Sequence, residues 1–152
     1  MPKRVIILGS TGSIGCSALE VTGNLPGEIE IVGLAAGSSW EKMAAQVERF
    51  RPRVAVLTDA PSADRLADRV RRSGVDTQVW SETEALARLV KELDCDFVLS
   101  AIVGVTGLPA TLAAVEGGLT VGLANKESLV VAGELVVNAA AARPLRLRAV
   151  ET

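Results

Sequence analysis

The sequence has no histidine, and its 152 residues include only two cysteines, Cys16 and Cys95. Without histidine, zinc sites of the Cys/His type and catalytic triads built on an imidazole are excluded. Any acid–base chemistry must therefore use carboxylates or lysine. Because no imidazole is present to generate a thiolate, we expect both cysteines to be small packing residues.

Aromatic residues, long apolar runs and excess charge are also scarce. Only 3% of the residues are aromatic while 49% are apolar, so the core must consist of Val, Leu, Ile and Ala, as in parallel sheets between helices. No run approaches the roughly 18 apolar residues of a membrane span. The net charge of −2 gives no field that attracts nucleic acid. We expect a soluble, cytoplasmic protein that binds neither nucleic acid nor membranes.

Short apolar runs alternate with helical patterns along the whole chain, which is typical of repeated βαβ units. Pairs of serine and glutamate with capping-box spacing, Ser38 with Glu41 and Ser81 with Glu84, are expected to open two of the helices. The predicted arrangement is an α/β, Rossmann-type, doubly wound and mostly parallel sheet with helices on both faces, formed by residues 1–150. The predicted strands are 5–8, 29–36, 54–57, 97–103, 120–123 and 145–150, with a short extra one at 78–80. The predicted helices are 14–25, 40–50, 62–73, 81–93, 108–116 and one that ends near 142.

The turn with Gly9, Gly12 and Gly15 is the sharpest motif, because it lies between a buried strand and a helix. Glycines let the backbone approach a pyrophosphate, and the free N–H groups of the helix start hold its negative charge. The turn lacks the Gly-Lys-Ser/Thr ending of a P-loop, so an ATPase is not indicated. A glycine-rich turn that only packs a helix against the sheet is the alternative.

The end of the second predicted strand indicates which dinucleotide binds. NAD-binding domains usually place an acidic residue there, for the ribose 2′-hydroxyl, whereas this strand ends in Ala-Ala-Gly-Ser-Ser at 35–39. Serine hydroxyls and backbone amides at Gly37, Ser38 and Ser39 could bind a 2′-phosphate, which favours NADP(H). Alternatively, both serines only cap the following helix.

The string Leu-Ala-Asn-Lys-Glu-Ser at 123–128 brings an amide, a cation and an anion to one strand end, where ligands bind in doubly wound sheets. Alternatively, Asn125 is a helix cap, and Lys126 and Glu127 are solvated residues of the first turn.

Three strings occur in order: Gly-Ser-Thr-Gly-Ser-Ile-Gly at 9–15, Ala-Ile-Val-Gly at 101–104 with Gly-Leu at 107–108, and Leu-Ala-Asn-Lys-Glu-Ser-Leu-Val at 123–130. Over the whole chain they resemble the 1-deoxy-D-xylulose 5-phosphate reductoisomerase family. The resemblance implies an enzyme of non-mevalonate isoprenoid biosynthesis, expected to be a homodimer. It rearranges 1-deoxy-D-xylulose 5-phosphate, then reduces the product with NADPH to 2-C-methyl-D-erythritol 4-phosphate, with Mg²⁺ or Mn²⁺ chelating the substrate oxygens.

The resemblance also implies roles for individual residues. Lys126 is implied as a catalytic, substrate-contacting residue whose charge stabilises anionic oxygens. Asn125 and Glu127 are implied to contact the cofactor near its nicotinamide. The implied contacts to the cofactor phosphates are Thr11, Gly12, Ser13 and Ile14 at the pyrophosphate, and Gly37, Ser38 and Ser39 at the 2′-phosphate.

The sequence departs from the family pattern at residues 151–152. The family supplies two metal ligands in an Asp-Ser-Glu segment, where this sequence has Val150, Glu151 and Thr152. Glu151 falls at the position of the family's aspartate, so the resemblance implies that Glu151 is a metal ligand. It could equally be an exposed end residue. We interpret 151–152 as the start of the metal- and substrate-binding region, and we expect this chain alone to bind cofactor with little or no turnover. The alternatives are a stand-alone NADP(H)-sensing module and the N-terminal domain of another NADP-dependent dehydrogenase.

Overall fold

A parallel sheet of seven strands forms the centre of the part of the chain that the computed structural model describes, which is residues 1–102 and 105–124 and the backbone of 147–149. The strand order is β4-β3-β2-β1-β5-β6-β7, and every neighbouring pair is parallel. The strands are β1 (Lys3–Leu8), β2 (Ile29–Ala36), β3 (Val54–Leu57), β4 (Gln78–Ser81), β5 (Phe97–Ser100), β6 (Thr120–Leu123) and β7 (Leu147–Ala149). The helices are α1 (Ser13–Gly23), α2 (Trp40–Phe50), α3 (Ala60–Ser73), α4 (Glu84–Glu92) and α5 (Leu108–Glu116).

Helices cover both faces of the sheet, because alternate residues of each buried strand point to opposite sides. In β1, Ile6 and Leu8 belong to the core that includes buried residues of α4 and α5. Val5 and Ile7 belong to the second core, which includes buried residues of α1, α2 and α3. Aliphatic side chains dominate both cores. The Rossmann-type, doubly wound arrangement predicted from the sequence is therefore confirmed.

Two predicted capping boxes are wrong. The box predicted from Ser38 and Glu41 fails because Ser39, and not Ser38, directly precedes α2. Ser39 has φ −77° and ψ 67° and makes no side-chain cap hydrogen bond. Ser81 is not a cap, because β4 continues to it through its pairing with Leu57. The chain then turns at Glu82, whose φ is 77°, and Thr83 precedes α4. In both places backbone geometry overrides the sequence spacing.

Three predicted element bounds also change. Helix α1 ends at Gly23 rather than near Leu25, and α3 begins at Ala60 because the side chain of Asp59 caps it. Strand β5 ends at Ser100, which pairs with the last residues of β1 and β6, Leu8 and Leu123. The predicted strand end at Val103 and the predicted helix that ends near 142 lie outside the described residues.

An apolar groove of about 370 Å³ lies beside α1, on the face that it shares with α2 and α3. Val5, Ile7, Val21, Phe97 and Leu99 contribute to its walls. Val21 of α1 remains 56% exposed in this groove. The described part of the chain contains no helix long and apolar enough to cross a membrane.

The two cysteines differ in exposure. Cys95 is buried as expected, and burial raises the pKa of its thiol from 9.0 to about 11. Cys16 is exposed on α1, so the expectation that it is a packing residue is wrong. The salt bridge of Arg4 with Asp96 lies beside Cys95, and its hydrogen bonds lower the pKa of Asp96. These shifted groups lie at the amino-terminal edge of the sheet.

We expect Ellman's reagent to modify Cys16 quickly at pH 8 in the folded protein, and Cys95 only after unfolding in urea, because burial protects Cys95. A thiol whose pKa is raised by folding stabilises the fold below its unfolded pKa and loses this contribution as pH rises towards its folded pKa. Stability should therefore fall between pH 9 and about pH 11, and less so in Cys95→Ala. Equal reaction rates of both thiols in the folded protein would contradict this expectation.

Candidate functional site

The carboxyl ends of four strands, β1, β2, β3 and β5, surround one open cleft of about 310 Å³. The strand order changes direction between β1 and β5, and in open parallel sheets such a switch point is where ligands bind. The lining residues lie at the strand ends or after them: Gly9, Thr11, Gly12, Ala36, Gly37, Thr58, Ala101, Ile102 and Thr106.

Two glycines make the turn after β1 possible. Gly9 has φ +90°, and a Cβ there would lie 2.6 Å from the carbonyl oxygen of Ala101. A Cβ on Gly15 would lie 2.2 Å from the carbonyl oxygen of Gly9 and 2.6 Å from the Cα of Ser10. The turn therefore packs against its own helix and the end of β5 too closely for any side chain. These contacts place the start of α1 at the cleft.

The glycine turn and the start of α1 have backbone N–H groups that are free to donate. No side-chain cap satisfies the start of α1, which follows Gly12 in an extended conformation. Within the described residues, the N–H groups of Thr11, Ser13 and Ile14 have no protein acceptor, whereas that of Cys16 donates to the carbonyl of Gly12. Free N–H groups and the positive end of a helix dipole suit an anionic ligand such as a phosphate.

The residues after β2 form the next part of the cleft. Gly37 lines the cleft and a Cβ there would meet nothing within 4 Å, while Ser38 and Ser39 follow it and are exposed. Their hydroxyl groups make no hydrogen bond in the described structure, so they are available to a ligand. The structure thus removes the alternative in which the hydroxyl groups of these serines cap α2.

Asp59 is the acidic residue that follows β3, the neighbour of β2. Its N–H donates to the carbonyl of Gly37 at 3.1 Å, which joins the two strand ends. Its carboxylate accepts hydrogen bonds from the backbone and the hydroxyl of Ser62, at the start of α3. That carboxylate is therefore engaged by a helix start, which differs from an acid placed at the end of β2 for a ribose hydroxyl.

A buried polar network supports the opposite side of the cleft. The hydroxyls of Ser100 and Thr111 lie 2.8 Å apart, and that of Thr111 donates to the carbonyl of Gly107 at 3.0 Å. Both side chains are fully buried. The network ties the end of β5 to the start of α5, and so fixes the ends of the segment that contains Ala101, Ile102 and Thr106.

Several cleft residues were not identified from the sequence. Thr58 directly follows the predicted strand 54–57, so the rule that ligands bind at strand ends could have found it. Ala101 and Ile102 fell inside the predicted strand 97–103, and they follow the strand only because β5 ends at Ser100. Gln46 on α2 does not line the cleft and gave no such signal, although its side-chain Nε2 donates to the carbonyl of Ser10 in the glycine turn at 2.9 Å.

Four of the predicted site residues, Asn125, Lys126, Glu127 and Glu151, lie outside the described residues. Ala124, which precedes three of them, donates its N–H to the carbonyl of Ser100 at 2.9 Å. Among the described residues, no group of three or more acidic, cysteine or histidine side chains could hold a metal ion.

A larger cavity of about 500 Å³ lies at the surface of α4, away from the glycine turn. It is lined by side chains of both charges, among them Glu84, Arg88 and Lys91, and Arg88 is paired with Glu92 at 2.8 Å. Free backbone donors and the switch point of the sheet favour the smaller cleft as the functional site.

The chain matches a family model described as 1-deoxy-D-xylulose 5-phosphate reductoisomerase over residues 5–133. It is 41% identical over 152 residues to the reductoisomerase of Heliobacterium modesticaldum, covering 100% of this chain and 39% of that protein. It is 45% identical over 150 residues to that of Anaeromyxobacter dehalogenans, covering 99% of this chain and 38% of that protein. The chain thus spans less than two-fifths of the length of these relatives.

Solved structures give the same result. The reductoisomerase from Zymomonas mobilis in complex with NADPH matches with a TM-score of 0.93 and 33% identity, over 99% of this chain and 39% of that one. A DOX-P reductoisomerase in complex with NADPH, fosmidomycin and magnesium matches with a TM-score of 0.91 and 35% identity, over 97% of this chain and 36% of that one. A homoserine dehydrogenase from Thiobacillus denitrificans, at 18% identity and a TM-score of 0.56, shares the fold alone.

Proposed function

Because the chain belongs to the 1-deoxy-D-xylulose 5-phosphate reductoisomerase family, we propose that residues 1–150 are the NADPH-binding domain of such an enzyme. The observation that carries the proposal is the cleft at the switch point of the sheet, where Thr11, Gly12 and Gly37 meet beside a helix start with free N–H groups. NADPH in the matched Zymomonas mobilis structure supports it.

In the proposed complex, the pyrophosphate lies against Thr11, Gly12, Ser13 and Ile14, where free N–H groups and the dipole of α1 hold its charge. The 2′-phosphate lies at Gly37, Ser38 and Ser39. This placement is supported by the uncommitted serine hydroxyls, and by the start of α2, which has no side-chain cap. The carboxylate of Asp59, after β3, accepts hydrogen bonds from Ser62 at the start of α3, so it does not take the place of the acid that NAD-binding domains put at the end of the second strand.

For the whole enzyme we propose the family reaction: rearrangement of 1-deoxy-D-xylulose 5-phosphate and reduction to 2-C-methyl-D-erythritol 4-phosphate, in non-mevalonate isoprenoid biosynthesis. NADPH, when bound, supplies the hydride for the reduction. Lys126 is proposed to contact the substrate and stabilise its anionic oxygens. Asn125 and Glu127 are proposed to contact the nicotinamide end of the cofactor.

Metal binding belongs to the whole enzyme in this proposal. Magnesium is present in matched reductoisomerase structures, but the described residues of this chain offer no metal site, so we derive no step through a metal. Glu151 is the proposed ligand from this chain, since its carboxylate oxygens suit such a cation. We also propose that the enzyme is a cytoplasmic homodimer, and that this chain alone turns over little or no substrate.

Calorimetric titration of this chain with NADPH and, separately, NADH tests the proposal. We expect NADPH to bind at least about tenfold more tightly than NADH, a difference of about 1.4 kcal/mol, because only NADPH carries the 2′-phosphate. Equal affinity for the two would contradict the role of residues 37–39. No binding of either would overturn the proposal that this chain is a cofactor-binding domain.

A further inference from the structure

The carbonyl group of Ser10 in the glycine turn points away from the cleft, towards α2. It accepts a hydrogen bond from the side-chain Nε2 of Gln46 at 2.9 Å, and the thiol of Cys16 approaches it at 3.6 Å. The side chain of Ser10 is fully buried against Met43, which is also on α2. Helix α2 therefore holds the back of the turn.

The direction of that carbonyl fixes the direction of the next N–H. A trans peptide is planar, so the C=O of Ser10 and the N–H of Thr11 point in opposite directions. Within the described residues, this N–H has no protein acceptor, and Thr11 lines the cleft. Gln46, which binds the carbonyl from behind, thus directs a free donor towards the side where an anion would lie.

Two backbone angles, ψ of Ser10 and φ of Thr11, set the direction of the peptide between these residues. If this peptide rotated by half a turn, the carbonyl oxygen of Ser10 would face the phosphate and repel it. A donor on α2 that binds the carbonyl opposes this rotation.

The amide of Gln46 is held in one orientation. Its Oε1 is buried and has no hydrogen-bond partner, and the reversed amide would bring Oε1 against the carbonyl oxygen of Ser10. Two acceptors would then face each other, so the donating orientation is the stable one. A buried oxygen without a partner lowers the stability of a protein. In Gln46 this oxygen belongs to the same amide group whose Nε2 donates to the turn.

We propose that Gln46 is a positioning residue for cofactor binding, which orients the Thr11 N–H towards the pyrophosphate through the carbonyl of Ser10. This inference rests on the proposed function. Gln46 does not itself contact the cofactor in this account. Its effect should therefore depend on the pyrophosphate of the ligand.

The test compares four proteins: the unchanged chain, Gln46→Met, Gln46→Lys and Glu48→Gln. Methionine keeps the length of the side chain but has no donor, whereas lysine restores an N–H donor that lies one bond further from the backbone. Glu48 lies on the same helix and pairs with Arg69 at 3.1 Å, so its variant controls for general changes in α2. Each protein is titrated with NADPH and with adenosine 2′-monophosphate, which lacks the pyrophosphate.

We expect Gln46→Met to raise the Kd for NADPH about tenfold, equal to about 1.4 kcal/mol, and to change that for adenosine 2′-monophosphate less than about twofold. Gln46→Lys should recover most of the NADPH affinity, and Glu48→Gln should bind like the unchanged chain. Equal losses for both ligands would indicate general damage to the domain and overturn the inference. So would unchanged NADPH binding by Gln46→Met.

A measurement on the unchanged chain covers the case in which Gln46→Met does not fold. The backbone amide resonance of Thr11 should shift strongly when NADPH is added, because it becomes a donor to a phosphate. Binding of NADPH without such a shift would overturn the role of Gln46 and the placement of the pyrophosphate at Thr11, whereas the proposal that this chain binds NADPH would stand. Failure of the unchanged chain to bind NADPH would overturn both.

Discussion

Gly15→Ala is expected to lower the free energy of unfolding by about 3 kcal/mol or more and to abolish NADPH binding. A Cβ at this position would lie 2.2 Å from the carbonyl oxygen of Gly9 and 2.6 Å from the Cα of Ser10. Both atoms belong to backbone, so neither can move aside as a flexible side chain would. The start of α1 would have to move away from the turn, which would take its N–H groups out of the cleft. Urea unfolding and a NADPH titration measure the two effects.

Gly12→Ala is the matched control within the same motif. The nearest atom to its Cβ would be the carbonyl oxygen of Gly9 at 3.6 Å, an ordinary contact, so the free energy of unfolding should change by less than about 1 kcal/mol. Because Gly12 lines the cleft, its new methyl group should still weaken NADPH binding. A Gly15→Ala protein as stable as Gly12→Ala would contradict the close packing of α1 on the turn.

Ser38→Asp is expected to raise the Kd for NADPH about 30-fold, equal to about 2 kcal/mol, while NADH binding is retained or improved. The added carboxylate would repel the 2′-phosphate at the end of β2, where NAD-binding domains usually place an acid for the ribose hydroxyl. Since Ser38 is exposed, salt should weaken the effect. Titrations with both cofactors at low and high salt measure it.

Ser38→Asn is the control for that substitution, because asparagine has nearly the shape of aspartate without its charge. It should change the NADPH affinity far less than Ser38→Asp does. If the two variants weakened NADPH binding equally, the effect would be steric and the placement of the 2′-phosphate beside Ser38 would be contradicted. An unchanged ratio of NADPH to NADH affinity in Ser38→Asp would contradict it as well.

The strands and helices could be predicted where the sequence itself marks their ends. Strand β2 spans Ile29–Ala36 as predicted, between Gly27 and Gly37, and α2 spans Trp40–Phe50 as predicted, before Pro52. Glycine and proline act locally, so their effect can be predicted without knowledge of the fold. The end of β5 at Ser100 could not be predicted in this way, because it depends on where β1 and β6 end beside it.

The candidate site likewise contains residues that could be predicted from a local sequence pattern and residues that could not. The glycine turn with Gly9, Gly12 and Gly15 carries a local pattern, and the structure places it at the cleft, next to Gly37. Gln46 could not be found in advance, because its contact with Ser10 joins residues 36 positions apart and depends on how α2 packs. The predicted cap of α2 failed because the backbone at Ser39 does not adopt the geometry that a cap needs, and the one at Ser81 failed because β4 continues to that residue.

The central claim, that the cleft beside the glycine turn binds NADPH, is tested most directly by following the backbone amide resonances of the isotope-labelled chain during a NADPH titration. We expect the largest shifts at Thr11, Ser13 and Ile14 and at Gly37, Ser38 and Ser39. Largest shifts at the surface of α4, near Thr83 and Arg88, or no shifts at all, would contradict the claim.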